Sequence, residues 1–418
     1  MLGRHDSSAG ETPRVTDLAT PQALAGLRVL DIGGTVATGY CGKLFAAHGA
    51  DVIDVEPPGG AATRALAPFN PRGRAPDNSA LHAYLSANKR SVALDVTHPE
   101  GRRAFVELAR NAAVVLDSTV GPPDAFTDLF AVAPTVVVAR ITWFGQTGPY
   151  RDFAGSDGVC HALIGMVRGI GPPEGPPVMP SGYQAQIVGG LTAYIGALGH
   201  VIGAELSNRD APCVLDTSIY EANTCFTDVG AVGAYNTGLV APRMGVNRFP
   251  PTFPLGIYAC RDGWIGVTAL TPSQWAAFGA LLELGDLVAK PEYQTTLGRL
   301  ADAQILEPII KQRVAERSAE EIFHRGQALR VPLALVPTME QLFTVDQYVA
   351  RGAFGAISHA TQGRFAAPVT PFRLYRTPAP PDGAAPTLGA DTRRCLAEAG
   401  VDAGRIAALA RANVAVEG

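Results

Sequence analysis

A chain of 418 residues, 47% hydrophobic and 17% charged, has material for a sizeable core and length for two domains. Its net charge of −4, with Lys and Arg few and scattered, excludes the basic footprint of a nucleic-acid-binding protein. Charges interrupt the apolar runs and residues 1–24 lack an apolar h-region, so the sequence predicts neither a membrane span nor a signal peptide, and the cytoplasm is the expected location behind a loose leader.

Residues 27–31 (LRVLD) read as a strand that ends at Gly33 and Gly34. A small-residue helix is predicted from about Tyr40 to His48 and a second strand over 50–55, which makes a βαβ opening. A strand at 92–95 precedes a helix over 99–111, with Glu100 near its start and Arg110 near its end, as the helix dipole favours. Strands follow at 112–116 and 135–142. Alternation of this kind predicts an α/β fold with a parallel, doubly wound, Rossmann-like sheet. Residues 189–205 form a helix whose Gly and Ala face permits close packing. Near 236–252 the composition turns to Pro, Gly and Asn, which marks a domain boundary. Beyond it, 256–268 reads as two strands joined at Arg261, Asp262 and Gly263, with helices over 272–284 and 301–317. After 331–337 the pattern is Pro-rich and irregular up to Pro386, and the last helices span 392–410. The expected organisation is a leader (1–24), a first large-domain segment (25–225), a linker (226–245), a smaller α+β domain (246–335) and a linker with C-terminal return to the large domain (336–418).

The cysteines Cys41, Cys160, Cys213, Cys225, Cys260 and Cys395 form no CxxC, and no His/Cys cluster has zinc spacing, so no metal is expected. They read as buried small residues, with Cys160 the one candidate for a reactive thiol. The glycine loop of 29–39 (VLDIGGTVATG) invites a dinucleotide or methyltransferase reading, with Glu56 as the acid that holds a ribose. Glycines at 33, 34 and 39 do not fit GxGxxG, and a plain strand-to-helix turn explains them as well.

Several segments together resemble the family III CoA-transferases (CaiB/BaiF type), which include formyl-CoA transferase and the α-methylacyl-CoA racemases. These are GLRVLDIGG with GADVIDVEPPGG in 26–60, ANKRSVALD at 87–95, ITWFGQTGPYRDFAGSDGVCHALIG at 141–165, GPPV at 175–178, APCVLDTSIYEA at 211–222 and PTLGADT at 386–392. The resemblance implies a Rossmann-like large domain built from both chain ends, a smaller domain between them, and an interlocked homodimer. It also implies CoA or an acyl-CoA as substrate, held by Val36, Ala37, Lys89, Arg90, Leu94, Ser118 and Thr119. For Lys89 and Arg90 the alternative is a solvated turn.

Such a transferase uses an aspartate that attacks the thioester, gives a mixed anhydride and then an enzyme-bound thioester. In the racemases that aspartate works with a histidine to move the α-proton. Family spacing puts the nucleophile on Gln186, an amide without a titratable proton, and the racemase histidine on Ser156. Pro57 stands where the family often has Arg, and 117–122 (DSTVGP) stands for ENFRPG. Asp157 is retained, and His161 follows it at helical spacing, so the two could form an oriented general base. Gln186 and Ser156 could polarise a carbonyl. Glu221 is a further acid, while Tyr258 and Trp264 read as small-domain packing. The leading expectation is altered chemistry on an acyl thioester or related carboxylic substrate. The alternatives are a conventional CoA-transferase or racemase, and a non-catalytic ligand-binding or partner subunit.

Overall fold

A computed structural model describes residues 22–122, 124–208, 211–238, 243–380 and 383–418. The leader expected over 1–24 lies, apart from its last three residues, outside them, as does part of the expected linker. The described chain divides into two compact units. The first comprises Met1–Cys160, Gly182–Thr224 and Arg351–Gly418; the second comprises His161–Ser181 and Cys225–Ala350.

The first unit is built on a seven-stranded sheet. Its strands are β1 (Arg28–Asp31), β2 (Asp51–Glu56), β3 (Arg90–Leu94), β4 (Val114–Asp117), β5 (Val137–Thr142), β6 (Cys213–Ser218) and the C-terminal Ala415–Val416. Their order is Ala415–Val416, β3, β2, β1, β4, β5, β6. Every pair is parallel except Ala415–Val416 on β3. These strands read as nearly continuous apolar runs because both faces of the sheet are covered. One face carries Leu30, Ile53, Val92, Leu94 and Val115 against Phe105, Leu108, Leu396 and Ile406, so the C-terminal helices Thr392–Glu398 and Ala403–Arg411 complete a core begun by the N-terminal strands. The opposite face is covered by α1 (Val36–Ala47) and by the long helix Gln184–Ser207.

Helix α1 starts at Val36, not near Tyr40. Thr35 caps it, accepting the Thr38 N–H at 3.2 Å, while the Thr38 hydroxyl accepts from the Thr35 N–H at 3.2 Å. Gly39 is therefore inside a helix, where an added Cβ would meet Leu85 at 3.4 Å, and takes no part in a phosphate loop. The long helix starts five residues before the expected Gly189. Its buried stripe is Ala185, Gly189, Gly190, Ala193 and Ala197, and a Cβ on Gly190 would lie 2.3 Å from the Ala37 carbonyl oxygen. Gln184–Ser207 is also long and apolar enough to cross a membrane by length and composition, against the expectation that charges break every apolar run; Glu205 is its only Asp, Glu, Lys or Arg. Here its small-residue stripe packs on α1.

The stretch expected to be irregular up to Pro386 holds a three-stranded sheet: Phe354–His359 pairs antiparallel with Gly363–Pro368 and parallel with Gly383–Ala385. Its alternation is carried largely by Ala and Gly, so the period-2 signal is weak.

The second unit packs a sheet of Leu255–Ala259, Trp264–Thr268 and Leu333–Leu335 against the helices Pro272–Leu282, Ala303–Ala315 and Ala319–Ala328. Tyr258, Trp275, Phe278 and Leu306 form its core, whereas Trp264 is exposed. Buried Arg299 donates to the carbonyls of Phe253, Ala269, Leu270 and Tyr293 at 2.7–3.1 Å.

Candidate active site

Strand β1 pairs β2 on one side and β4 on the other, and the chain winds outward in both directions from that point. In open α/β sheets ligands bind outside the carboxyl ends of the strands at this switch. Two cavities of the first unit lie there. One, of about 250 Å3, is lined by Asp31, Asp54, Glu56, His82, Ser86 and Lys89 with the turn from Gly33 to Thr35. The other, of about 90 Å3, is lined by Thr35, Ser118, Thr142, Trp143, Arg151, Phe153 and Gln186.

Gln186 is the third residue of its helix, and its N–H is one of those that lack a partner within the helix. Asp157 supplies that partner. Its Oδ1 accepts the Gln186 N–H at 3.1 Å and its Oδ2 accepts the Gln186 side-chain amide at 2.9 Å. Because a carboxylate only accepts, the Gln186 Nε2 must face Asp157, which leaves its second proton and Oε1 for the cavity. Asp157 is itself placed by its neighbours. Ser156 caps the helix Asp157–Leu163, its Oγ accepting the Val159 N–H at 3.3 Å. A Cβ at Gly155 would fall 2.2 Å from Trp143 Cγ, so only glycine brings the chain this close.

The expected Asp157–His161 base pair is not formed. The stretch is helical, which the pairing required, but the carboxylate turns to the start of the following helix, and both nitrogens of buried His161 lack a hydrogen-bond partner. Ser156 is exposed and serves as a helix cap rather than lining the smaller cavity. Cys160 is buried, and burial together with Asp157 pushes its thiol up to about 11, so it is not a reactive thiolate. Glu221 lies in a short helix capped by Ser218, whose Oγ accepts the Glu221 N–H at 3.1 Å.

The residues expected to hold CoA fall into four groups. Val36 and Ala37 are buried in the first turn of α1. Lys89 and Arg90 are already neutralised. The Lys89 ammonium donates to Asp54 at 2.9 Å, to the Gly39 carbonyl at 3.2 Å and to Asp31 at 3.5 Å, fully buried, so the solvated turn is excluded for it. Arg90 donates to Asp51 at 2.5 and 2.9 Å and to Glu398 at 2.6 Å. Leu94 is core. Ser118 and Thr119 sit on the loop after β4: the Ser118 hydroxyl donates to the Gly33 carbonyl at 2.8 Å and so ties this loop to the turn after β1.

That loop is held by a residue the sequence reading passed over. Buried Arg140 donates to Asp117 at 3.1 Å and to the carbonyls of Thr119, Gly121 and Pro122 at 3.0–3.2 Å. An arginine inside the apolar run of 135–142 was the signal, since a buried charge must be paired. Gln146 latches the same loop, accepting from Gly121 N–H at 3.2 Å and donating to the Thr119 carbonyl at 3.1 Å. Thr35, Thr142 and Arg151 were also missed; they lie inside the quoted segments 29–39 and 141–165, but nothing in those segments marks them as facing one cavity.

Glu56 excludes the dinucleotide and methyltransferase readings. Its carboxylate accepts from Arg64 at 2.6 and 2.7 Å, from Ser91 at 2.7 Å and from the Ala61 N–H at 3.0 Å, which leaves no free position for a ribose. Burial alone would raise its affinity for a proton, but the bonds from Arg64 win and hold it below the usual carboxylate range. Burial pushes Asp54 up, with Lys89 opposing. His82, between Thr63 at 2.8 Å and Ser86 at 3.3 Å, is pushed down to about 3 by burial and then by Arg64. Among the described residues no His, Cys, Asp or Glu group is arranged to hold a metal ion.

Comparison with known proteins fits this geometry. The profile of CoA-transferase family III matches residues 24–392. The succinyl-CoA–L-malate CoA-transferase beta subunit of Chloroflexus aurantiacus is 30% identical over 390 residues, covering 91% of this chain and 94% of that one. The alpha subunit of the same name and organism is 27% identical over 387 residues, covering 90% and 88%. A CAIB/BAIF family protein from Brucella suis has a crystal structure that superposes with a TM-score of 0.80 at 25% identity, covering 91% of this chain and all of that one. With a mostly parallel sheet in the first unit, two smaller sheets and a family profile that runs nearly end to end, the chain belongs to CoA-transferase family III.

Proposed function

We propose that this protein binds an acyl-CoA thioester at the carboxyl ends of β1, β4 and β5 and acts on it without an aspartyl intermediate. The observation that carries this reading is the Gln186–Asp157 clamp. At the position expected for the nucleophile stands an amide, and the carboxylate nearest to it is occupied by two donors. An amide cannot form the mixed anhydride. It can donate its second N–H to a thioester carbonyl, and Asp157 orients it for that task. The Thr35 and Thr142 side chains and Arg151 line the same cavity, whose size of about 90 Å3 suits a short, polar acyl group. The relatives that carry succinyl-CoA in their names support an acyl-CoA as the substrate class. In this reading the chain is a homodimer, as the family resemblance implies.

Calorimetric titration with CoA and acetyl-CoA tests it. Micromolar binding, about −8 kcal/mol, with no hydroxylamine-sensitive adduct in the intact mass after exposure to acyl-CoA, is the expected result. A hydroxylamine-sensitive adduct on a carboxylate would instead establish the conventional transferase. One observation favours a second reading, a partner subunit. Two of the relatives are named as the alpha and the beta subunit of a succinyl-CoA–L-malate CoA-transferase. Turnover that appears only on mixing with a family member bearing the aspartate would favour it.

A further inference from the structure

The chain has only four lysines, Lys43, Lys89, Lys290 and Lys311. Lys89 is fully buried in its ion pairs. Lys311 is exposed and pairs with Glu307 at 3.1 Å, and Lys290 is exposed with its ammonium 5.6 Å from the Tyr293 ring centroid. Lys43 is different. It projects from α1 into a cavity of about 50 Å3 shared with Tyr40, Tyr84, Asn88 and Pro371. Its ammonium lies 4.2 Å from the centroid of the Tyr84 ring. Among the described residues no carboxylate pairs with it, and the charge that acts on it is the like charge of Lys89. Tyr40 and Tyr84, the other titratable groups among the described residues that line the cavity, are both held protonated by burial.

We propose that Lys43 is a site of N-acylation by short acyl thioesters. The neutral Nζ attacks the thioester carbonyl carbon; a C–N bond forms as the C–S bond breaks, the thiolate of CoA leaves and takes up the proton that the amine gives up, and an amide remains. Desolvation is a standard way to activate an amine nucleophile. The cavity is small, about 50 Å3, so it favours the shortest acyl groups. Burial and the field of Lys89 push the ammonium down to about 8. At pH 7.5 about a quarter of Lys43 is then free amine, against roughly 0.1% for an ordinary lysine. That excess of about 200-fold shrinks to about tenfold once the weaker basicity is charged against nucleophilicity with an exponent of about 0.5, the size found for thiols. The proposal stands whether or not CoA occupies the cavities at the strand ends.

The test is peptide-resolved mass spectrometry of the wild-type protein incubated with acetyl-CoA, reading acetylation rates at Lys43, Lys290 and Lys311 from pH 7.5 to 10.5. The expected result is a lead of about tenfold for Lys43 at pH 7.5 that closes at about pH 9 and inverts by pH 10.5, where the exposed lysines are also largely free amine and are the stronger nucleophiles. A Lys43 rate equal to or below that of the two exposed lysines at pH 7.5 overturns the proposal. So does a lead that persists unchanged at pH 10.5, since the acyl group would then be delivered by bound CoA rather than taken by a free amine.

Discussion

Gln186→Asp puts a carboxylate where the family's nucleophile is expected, and the structure sets what that should cost. The amide nitrogen lies 2.9 Å from Asp157 Oδ2; the aspartate chain is one carbon shorter, so the two carboxylates would face each other at about 4 Å. Two unit charges at that separation repel by about 1 kcal/mol in water and about 4 kcal/mol at an effective dielectric of 20. The site is part-buried, so the lower half of that range applies, and the lost hydrogen bond adds about 1.5 kcal/mol. The variant should therefore be about 2.5–4 kcal/mol less stable than wild type in urea at pH 8. The repulsion exists only while both groups are ionised, so the deficit shrinks as pH falls toward 4. Asp157→Asn in the same background should remove most of it. In return the variant gains a nucleophile, a group whose loss costs roughly a millionfold in turnover. Exchange of labelled CoA and a hydroxylamine-sensitive adduct, read by intact mass, measure the gain. A folded variant that matches wild type in stability at both pH values, or that binds CoA yet forms no adduct with any acyl-CoA tried, would refute the assignment of Gln186 to the point of attack.

Two further outcomes follow from buried groups of the first unit. Arg140→Met leaves Asp117 without its cation and takes one donor from each of three carbonyls, and should cost about 3–5 kcal/mol in urea unfolding, with weaker CoA binding because the loop from Ser118 to Pro122 loses its anchor. His82 is held neutral, pushed down to about 3 by burial and Arg64. Its folded value is depressed, so its contribution is complete above about pH 6.5 and is lost as pH falls toward 3, at up to about 1.4 kcal/mol per pH unit. His82→Asn should flatten the stability profile between pH 6.5 and 4; an unchanged slope would mean that His82 is protonated in the fold.

What was legible in the sequence was what local pattern encodes. Strands such as Val137–Thr142 read as apolar runs because both faces of a parallel sheet are buried. The helix Pro99–Ala109 announces itself by proline at its start and Glu100 in its first turn. The start of α1 was hidden because its capping box uses Thr38 in place of the usual Glu or Gln. The start of Gln184–Ser207 was hidden for a different reason. Its cap is Asp157, supplied from a separate helix, and no local window contains both residues. The same gap explains the site. Helical spacing correctly put Asp157 and His161 one turn apart, but spacing within a helix does not say which neighbour outside it claims the carboxylate. Lys89 and Arg90 looked like free cations because their partners Asp31, Asp51, Asp54 and Glu398 come from other strands and from the C-terminal return.

Those pairings bear on how CoA would be recognised. The charged lining of the larger cavity is Asp31, Asp54, Glu56 and Lys89, and the smaller cavity adds Arg151. Lys89 is spoken for by two of the carboxylates, and Arg64 behind the wall by Glu56 and Asp77. A phosphate placed in the larger cavity would meet excess negative charge at low dielectric, which costs more than a bidentate arginine elsewhere could return. The cavities therefore suit the uncharged pantetheine and acyl end of the ligand, with the phosphates left toward solvent, where salt screens them. If so, the 3′-phosphate contributes little: dephospho-CoA should bind the protein within about threefold of CoA, less than 1 kcal/mol apart, and affinity should change little between 50 and 300 mM salt. A tenfold or greater loss on removing that phosphate would show that a cation outside these two cavities carries the recognition, and would move the search for the phosphate site away from the ends of β1 and β2.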